Sequence, residues 1–200
     1  RDFSAPIALE FDYSSAQLLH LLAHDPDSFN RWEAAQRLML DAMLKPGNVD
    51  LALMGLAFSA IIRDAALDHG YKASLLSLPS ELYISEQVPV IDPGFIRSAR
   101  DTLRQELARQ LLEPLKRLDG ELRAAASAPY SPDPLSTGRR LLANLVQHYL
   151  ALTGAISEEE LLARFTAVSN MTDRMALLST LMEFQGPQTQ EALERYFHQF

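Results

Sequence analysis

Residues 91–118 read IDPGFIRSARDTLRQELARQLLEPLKRL. Ile96, Ala99, Leu103, Leu107, Leu111, Leu115 and Leu118 recur every three or four positions, which is the spacing of one helix face. Arg97, Arg100, Arg104, Glu106 and Arg109 fill the other faces. Asp92 can accept from the first free N–H groups of such a helix, and Pro93 suits its first turn, where no N–H partner is needed. Pro114 sits inside the pattern and predicts a kink or an early stop, because it lacks an N–H and its ring crowds the preceding turn.

The same period continues on both sides. Ser14 and Gln17 have the spacing of a capping box ahead of Leu18, Leu19, Leu21 and Leu22. After Asp25-Pro26-Asp27, a helix is predicted over 28–44 with Phe29, Trp32, Ala35, Leu38, Met39 and Ala42 on its apolar face. Residues 49–69 are apolar nearly all round, the signature of a central helix, with Gly70 as its C-terminal cap. Short pieces are predicted over 72–78 and 80–85, a proline-rich loop over 124–134, and helices over 135–153, 157–168, 171–185 and 188–200. Ser157 with Glu160 reads as a second capping box, and Gly154 and Gly186 as helix ends. The expected fold is all-α: a right-handed superhelix of antiparallel helix pairs, HEAT- or armadillo-like, with short connections and no clear internal repeat. One residual β-strand is expected before it, over residues 1–12, where Ile7, Leu9 and Phe11 alternate. A lone strand is not stable by itself, and the chain opens on Arg1, so it reads as a piece cut from a longer one.

Composition narrows the function. The 200 residues carry 18 Lys and Arg against 26 Asp and Glu, a net charge of −8, which argues against nucleic acid as a partner. The absence of cysteine excludes disulfides, a thiol nucleophile and thiolate metal sites. It also suits a reducing compartment. No apolar run reaches the length of a membrane span, so no membrane partner is expected.

Chemistry-bearing motifs are sparse. His20 and His24 lie at i and i+4 and could share a metal, but a zinc peptidase helix needs Glu after the first His, and Leu21 stands there. The structural reading of that pair is preferred, with His24 bracing the turn at 25–27. There is no G-x-S-x-G, no phosphate-binding loop and no G-x-G-x-x-G. Glu158-Glu159-Glu160 complements a helix dipole. The arginines at 97, 100, 104, 109, 139 and 140 could receive acidic partners, although such charges more often pair along their own helix. Asn170 or Thr172 caps a helix, and Trp32 reads as core.

Several strings, taken in order, carry a resemblance. They are Phe3-Ser4-Ala5-Pro6; His24-Asp25; Phe29-Asn30-Arg31-Trp32-Glu33-Ala34-Ala35-Gln36; Ile91-Asp92-Pro93; Arg139-Arg140-Leu141-Leu142; and Asn170-Met171-Thr172-Asp173. Together they resemble the C-terminal part of the bacterial aminopeptidase N family, zinc metallo-aminopeptidases of the gluzincin class, over essentially the whole chain.

The resemblance implies that residues 1–12 are the last strand of a preceding β-sandwich and 13–200 the first part of an all-α C-terminal domain. It implies a parent enzyme of the cytoplasm that removes N-terminal residues, with basic or small apolar side chains preferred. The helical domain would cap the active-site chamber and restrict entry. Its partners would be the catalytic domain of the same polypeptide and the peptide substrates. The family's catalytic and zinc-binding motifs have no counterpart here, so no catalytic, cofactor-binding or metal residue is assigned and no cofactor is expected in this chain. Zinc is expected in the parent's catalytic domain. The alternative is an independent helical-repeat adaptor holding a protein partner in a groove. A free-standing hydrolase using His20 and His24 ranks last.

Overall fold

A computed structural model describes residues 11–124 and 130–199. Among the described residues it is all-helical: α1 (Ser15–His24), α2 (Ser28–Leu44), α3 (Leu51–Arg63), α4 (His69–Leu76), α5 (Glu81–Ser85), α6 (Pro93–Gln110), α7 (Leu112–Ala124), α8 (Pro134–Leu152), α9 (Glu158–Ala167), α10 (Met171–Met182) and α11 (Pro187–Gln199). The strand expected over 1–12 falls almost wholly outside the described residues; Phe11 and Asp12 are not in a strand. Residues 125–129 of the 124–134 loop also fall outside them.

The chain divides into two compact units. The first is residues 1–64 with 74–104, and the second is 65–73 with 105–200; α4 and α6 contribute residues to both. In the first unit α1 packs on α2 and α3. Leu18 and Leu22 of α1, Leu38 and Met39 of α2, and Met54 and Phe58 of α3 are all essentially inaccessible. In the second unit α7 packs on α8, α8 on α10, α9 on α10, and α11 on both α9 and α10. Leu115, Leu142, Tyr149, Leu161 and Leu181 fill its core.

Local signals set the boundaries. The Ser14 and Gln17 capping box is complete: the Ser14 side chain accepts from the Gln17 N–H and the Gln17 side chain accepts from the Ser14 N–H. Asp27, Asp50, Ser80, Asp133, Ser157 and Asn170 cap α2, α3, α5, α8, α9 and α10 by accepting backbone N–H groups. Asp92 accepts from the Phe95 N–H at 3.0 Å and opens α6 at Pro93. Pro114 has the expected effect: the stripe breaks at Leu111, and α7 begins afresh with Pro114 in its first turn. Ile96, Leu103, Leu107, Leu111, Leu115 and Leu118 are all buried along it.

Several expectations are corrected. The helix read over 49–69 ends at Arg63, where Asp64 turns extended; a new helix starts at His69, with the Asp68 side chain accepting from the Tyr71 N–H at 2.9 Å. The all-round apolar reading fails with it, since Leu53 and Leu56 are exposed. Gly70 is therefore no cap. It lies in the first turn of α4 because α8 comes so close: a Cβ on Gly138 would stand 2.7 Å from the Gly70 backbone nitrogen and 3.0 Å from its Cα. Gly186 does not supply the left-handed residue after α10 either. Gln185 does, at φ 55°, while a Cβ on Gly186 would run into the Glu158 carboxylate. Gly154, at φ 74°, ends α8 as expected. In α2 the buried face is Ala34, Ala35, Gln36, Leu38, Met39 and Met43, while Phe29 is exposed and Trp32 half-buried.

The Gly70–Gly138 contact gives a test. Gly138→Ala forces backbone against backbone and should destabilise the chain by about 1–3 kcal/mol despite the better helix propensity of alanine. Gly120→Ala in α7, where a Cβ would meet nothing within 4 Å, should instead stabilise by up to about 1 kcal/mol. Urea-unfolding midpoints of the two variants separate the effects.

Candidate functional site

The second unit holds a cleft of about 450 Å³ walled by α7, α8, α9 and α10. Asp119, Leu122 and Arg123 come from α7, Arg139, Arg140, Asn144 and Gln147 from α8, Arg164 from α9 and Asp173 and Leu177 from α10. Tyr130 and the 168–170 turn complete it.

Arg164 organises one side of this cleft. Its Nη1 and Nη2 donate to the two oxygens of Asp119 at 3.4 and 3.2 Å. Its Nε and Nη2 donate to Glu160 Oε1 at 3.2 and 2.7 Å. The remaining Nη1 hydrogen goes to Gln147 Oε1 at 3.1 Å. All five guanidinium N–H groups thus have acceptors, drawn from three helices. Arg123 adds a bond to Glu160 Oε1 at 3.1 Å. The Arg164 hydrogen bond, reinforced by the nearby Arg164 and Arg123 charges, holds the Glu160 carboxyl below its ordinary value. Ser157 caps α9 as predicted, but the Glu160 side chain goes to these arginines.

On the other side, Asp173 accepts from Asn144 Nδ2 at 2.9 Å and Asn170 Nδ2 at 2.7 Å, while Asn170 Oδ1 caps the Asp173 N–H. Arg140 lies under the Tyr130 ring, with its Cζ 4.5 Å from the centroid, and its Nη2 donates to Thr137 Oγ1 at 3.0 Å. Its Nε and the Nε2 of Gln147 are buried donors with no acceptor.

The residues singled out in the sequence fall as follows. His20 and His24 do share a face of α1, with ring centroids 4.8 Å apart, but both are exposed. Among the described residues no group of three or more His, Asp or Glu side chains could hold a metal ion, so this part of the chain does not fit a zinc site. The 25–27 turn is braced by its neighbours: Asp25 accepts from the Asp27 N–H at 2.8 Å and from Asn30 Nδ2 at 3.3 Å. Arg31 Nε ties α2 to the Leu22 carbonyl at 2.9 Å. Arg97, Arg104 and Arg109 pair with Asp101 or Glu106 on their own helix, as expected. Arg139, Arg140 and the 170–173 string meet in the cleft, which the sequence reading did not foresee. Trp32 lines a second, open depression in the first unit with Gln36, Ser77 and Tyr83. There burial, and then the charge of Glu33, raise the Tyr83 hydroxyl above its ordinary value.

Residues 15–200 match the family model described as "Domain of unknown function (DUF3458_C) ARM repeats". The chain belongs to this family. Curated relatives extend the match. Aminopeptidase N of Caulobacter vibrioides is 34% identical over 99% of the chain, and aminopeptidase N of Escherichia coli 30% identical over 98%. The chain spans 23% of the length of each. Among solved structures, Legionella pneumophila aminopeptidase A, in complex with aspartic acid, superposes with a TM-score of 0.82 at 26% identity, over 99% of this chain and 25% of that one. The chain thus corresponds to a C-terminal, helical segment of aminopeptidase N, as its strings suggest.

The Arg164 network predicts two outcomes. Arg164→Met leaves Asp119, whose side chain is only 15% exposed, and the Gln147 carbonyl without their main donors, and should cost about 2–3 kcal/mol in urea unfolding. The folded-state pKa of Glu160 is depressed, so its contribution is complete above its ordinary value of 4.5 and is lost as pH falls through the lower folded value. Glu160→Gln should therefore flatten the loss of stability on acidification below pH 4.5, measured by melting temperature against pH.

Proposed function

We propose that this chain is a non-catalytic helical part of a zinc aminopeptidase that removes N-terminal residues from peptides. Its role is architectural: it walls the chamber around a catalytic site carried elsewhere in the same polypeptide and limits which peptides enter. The observation that carries this reading is the match to aminopeptidase N at 30–34% identity over 98–99% of the chain. The all-helical fold with ARM repeats supports it, since stacked helices make extended walls. The zinc belongs to the rest of the parent enzyme, because the described residues offer no ligand set for it. The partners are the catalytic domain and the peptides themselves. We place the protein in the cytoplasm, where the resemblance to the bacterial family puts the parent enzyme.

The test compares the full polypeptide with this chain alone. The full polypeptide should contain zinc by atomic absorption, release p-nitroaniline from alanine p-nitroanilide, and lose that activity on chelation. The isolated chain should do neither. Stoichiometric zinc or hydrolysis in the isolated chain overturns the non-catalytic role. A full polypeptide with no zinc and no release of the amine overturns the aminopeptidase role and favours a helical-repeat adaptor. Chamber walling is read separately. Widening the wall by substituting exposed residues that line it should raise the rate on long peptides more than on the anilide.

A further inference from the structure

The cleft of the second unit has more donors and more positive charge than its own residues use. Four arginines line it (Arg123, Arg139, Arg140 and Arg164) against Asp119, Asp173 and the adjoining Glu160, an excess of one positive charge in a chain whose net charge is −8. Arg164 and Arg123 are committed to Asp119 and Glu160. Arg140 is not: among the described residues its partners are the Thr137 hydroxyl and the face of Tyr130, and its Nε has no acceptor.

Gln147 supplies an independent sign. The residue is 6% exposed, lines the cleft, and has an unpartnered Nε2. The amide cannot relieve this by turning over, because Arg164 Nη1 already donates to its Oε1 at 3.1 Å and would then face another donor. A buried donor without an acceptor is costly, and two in one cleft imply that something else accepts from them.

We infer that this cleft binds a peptide carboxylate, with Arg140 as the charge partner and Gln147 as the second donor. The charge argues for a monoanion. One uncommitted guanidinium is balanced by one negative charge, whereas a dianion would put its second charge beside Asp119 and Asp173. The remaining wall of Leu122, Ala143, Ala167, Val168 and Leu177 suits a small apolar neighbour of that carboxylate. Tyr130 covers the guanidinium by stacking and keeps it out of bulk water, where a carboxylate contact would be weak. This inference does not depend on the aminopeptidase reading.

The test is calorimetric titration of the full polypeptide that carries this chain. The probes are N-acetyl-Ala-Ala, with a free C-terminal carboxylate, N-acetyl-Ala-Glu amide, with a side-chain carboxylate, and N-acetyl-Ala-Ala amide, with neither. The blocked amino end keeps all three from being aminopeptidase substrates. At least one carboxylate probe should bind about tenfold or more tightly than the neutral amide, and which one does so separates a peptide C-terminus from an acidic side chain. Arg140→Gln should remove that preference, Arg140→Lys should retain part of it, Gln147→Leu should weaken it, and Arg97→Gln on α6 should leave it intact. Sulfate should bind more weakly than the preferred peptide. Equal binding of the neutral amide, no binding of any peptide, tighter binding of sulfate, or a preference that survives Arg140→Gln overturns the inference. If Arg140→Gln does not fold, Gln147→Leu decides: an unchanged preference there overturns it equally.

Discussion

One guanidinium holds the second unit's polar architecture together. Arg164 reaches Asp119 on α7, Gln147 on α8 and Glu160 on its own helix, α9. A lysine could not do this. Its three N–H groups radiate from one point, whereas the guanidinium offers a flat fork to Asp119 on one edge and to Glu160 on another. Because the fork is used up, the positions of its acceptors are fixed together. Gln147 is locked with its carbonyl toward Arg164, which aims its NH₂ group elsewhere. The unspent donor in the cleft is thus a consequence of the network and not an isolated flaw.

That network sits on an apolar frame that no single helix could provide. The helices here run from 5 to 19 residues, and isolated helices shorter than about 12–15 residues are marginal in water. Their persistence rests on stacking, and the buried polar groups are placed so that stacking costs little. Gln36 donates to the Ser77 carbonyl at 3.1 Å, and buried Thr189 donates to the Leu181 carbonyl at 2.6 Å, tying α11 to the end of α10. The Gly70–Gly138 approach works by the opposite means, removing side chains so that two backbones can meet. Both devices give the stack a fixed register where leucine-on-leucine contact alone would tolerate sliding.

The sequence disclosed what is local and concealed what is not. Caps were legible because Ser14, Asp92, Ser157 and Asn170 act on N–H groups two or three residues away, and Pro114 because its effect is on its own turn. The break between Arg63 and His69 was hidden, since Ala65, Ala66 and Leu67 extend the apolar run and hydropathy alone does not distinguish helix from connection. Exposed Leu53, Leu56 and Phe29 misled for the same reason: apolarity marks a face without saying what covers it. The cleft was invisible because Asp119, Arg140, Gln147, Arg164 and Asp173 meet only through packing. The arginine pair at 139–140 and the 170–173 string were its only traces, and each had a sufficient local explanation.

The strings that reveal kinship are, in the structure, mainly joints. His24-Asp25 and Phe29-Asn30-Arg31 fasten α1 to α2, through Asn30 on Asp25 and Arg31 on the Leu22 carbonyl. Asp92-Pro93 starts α6. Asn170 caps α10 by accepting from the Asp173 N–H, and the Asp173 carboxylate catches Asn144 of α8. Joints set the angle at which successive helices leave one another, and in a stack each angle is inherited by everything after it, so a small change there displaces many later residues. Two of the strings, Arg139-Arg140 and Asn170 to Asp173, reach beyond a joint into the cleft of the second unit, which is why Arg140 and the locked Gln147 are the residues to interrogate for binding.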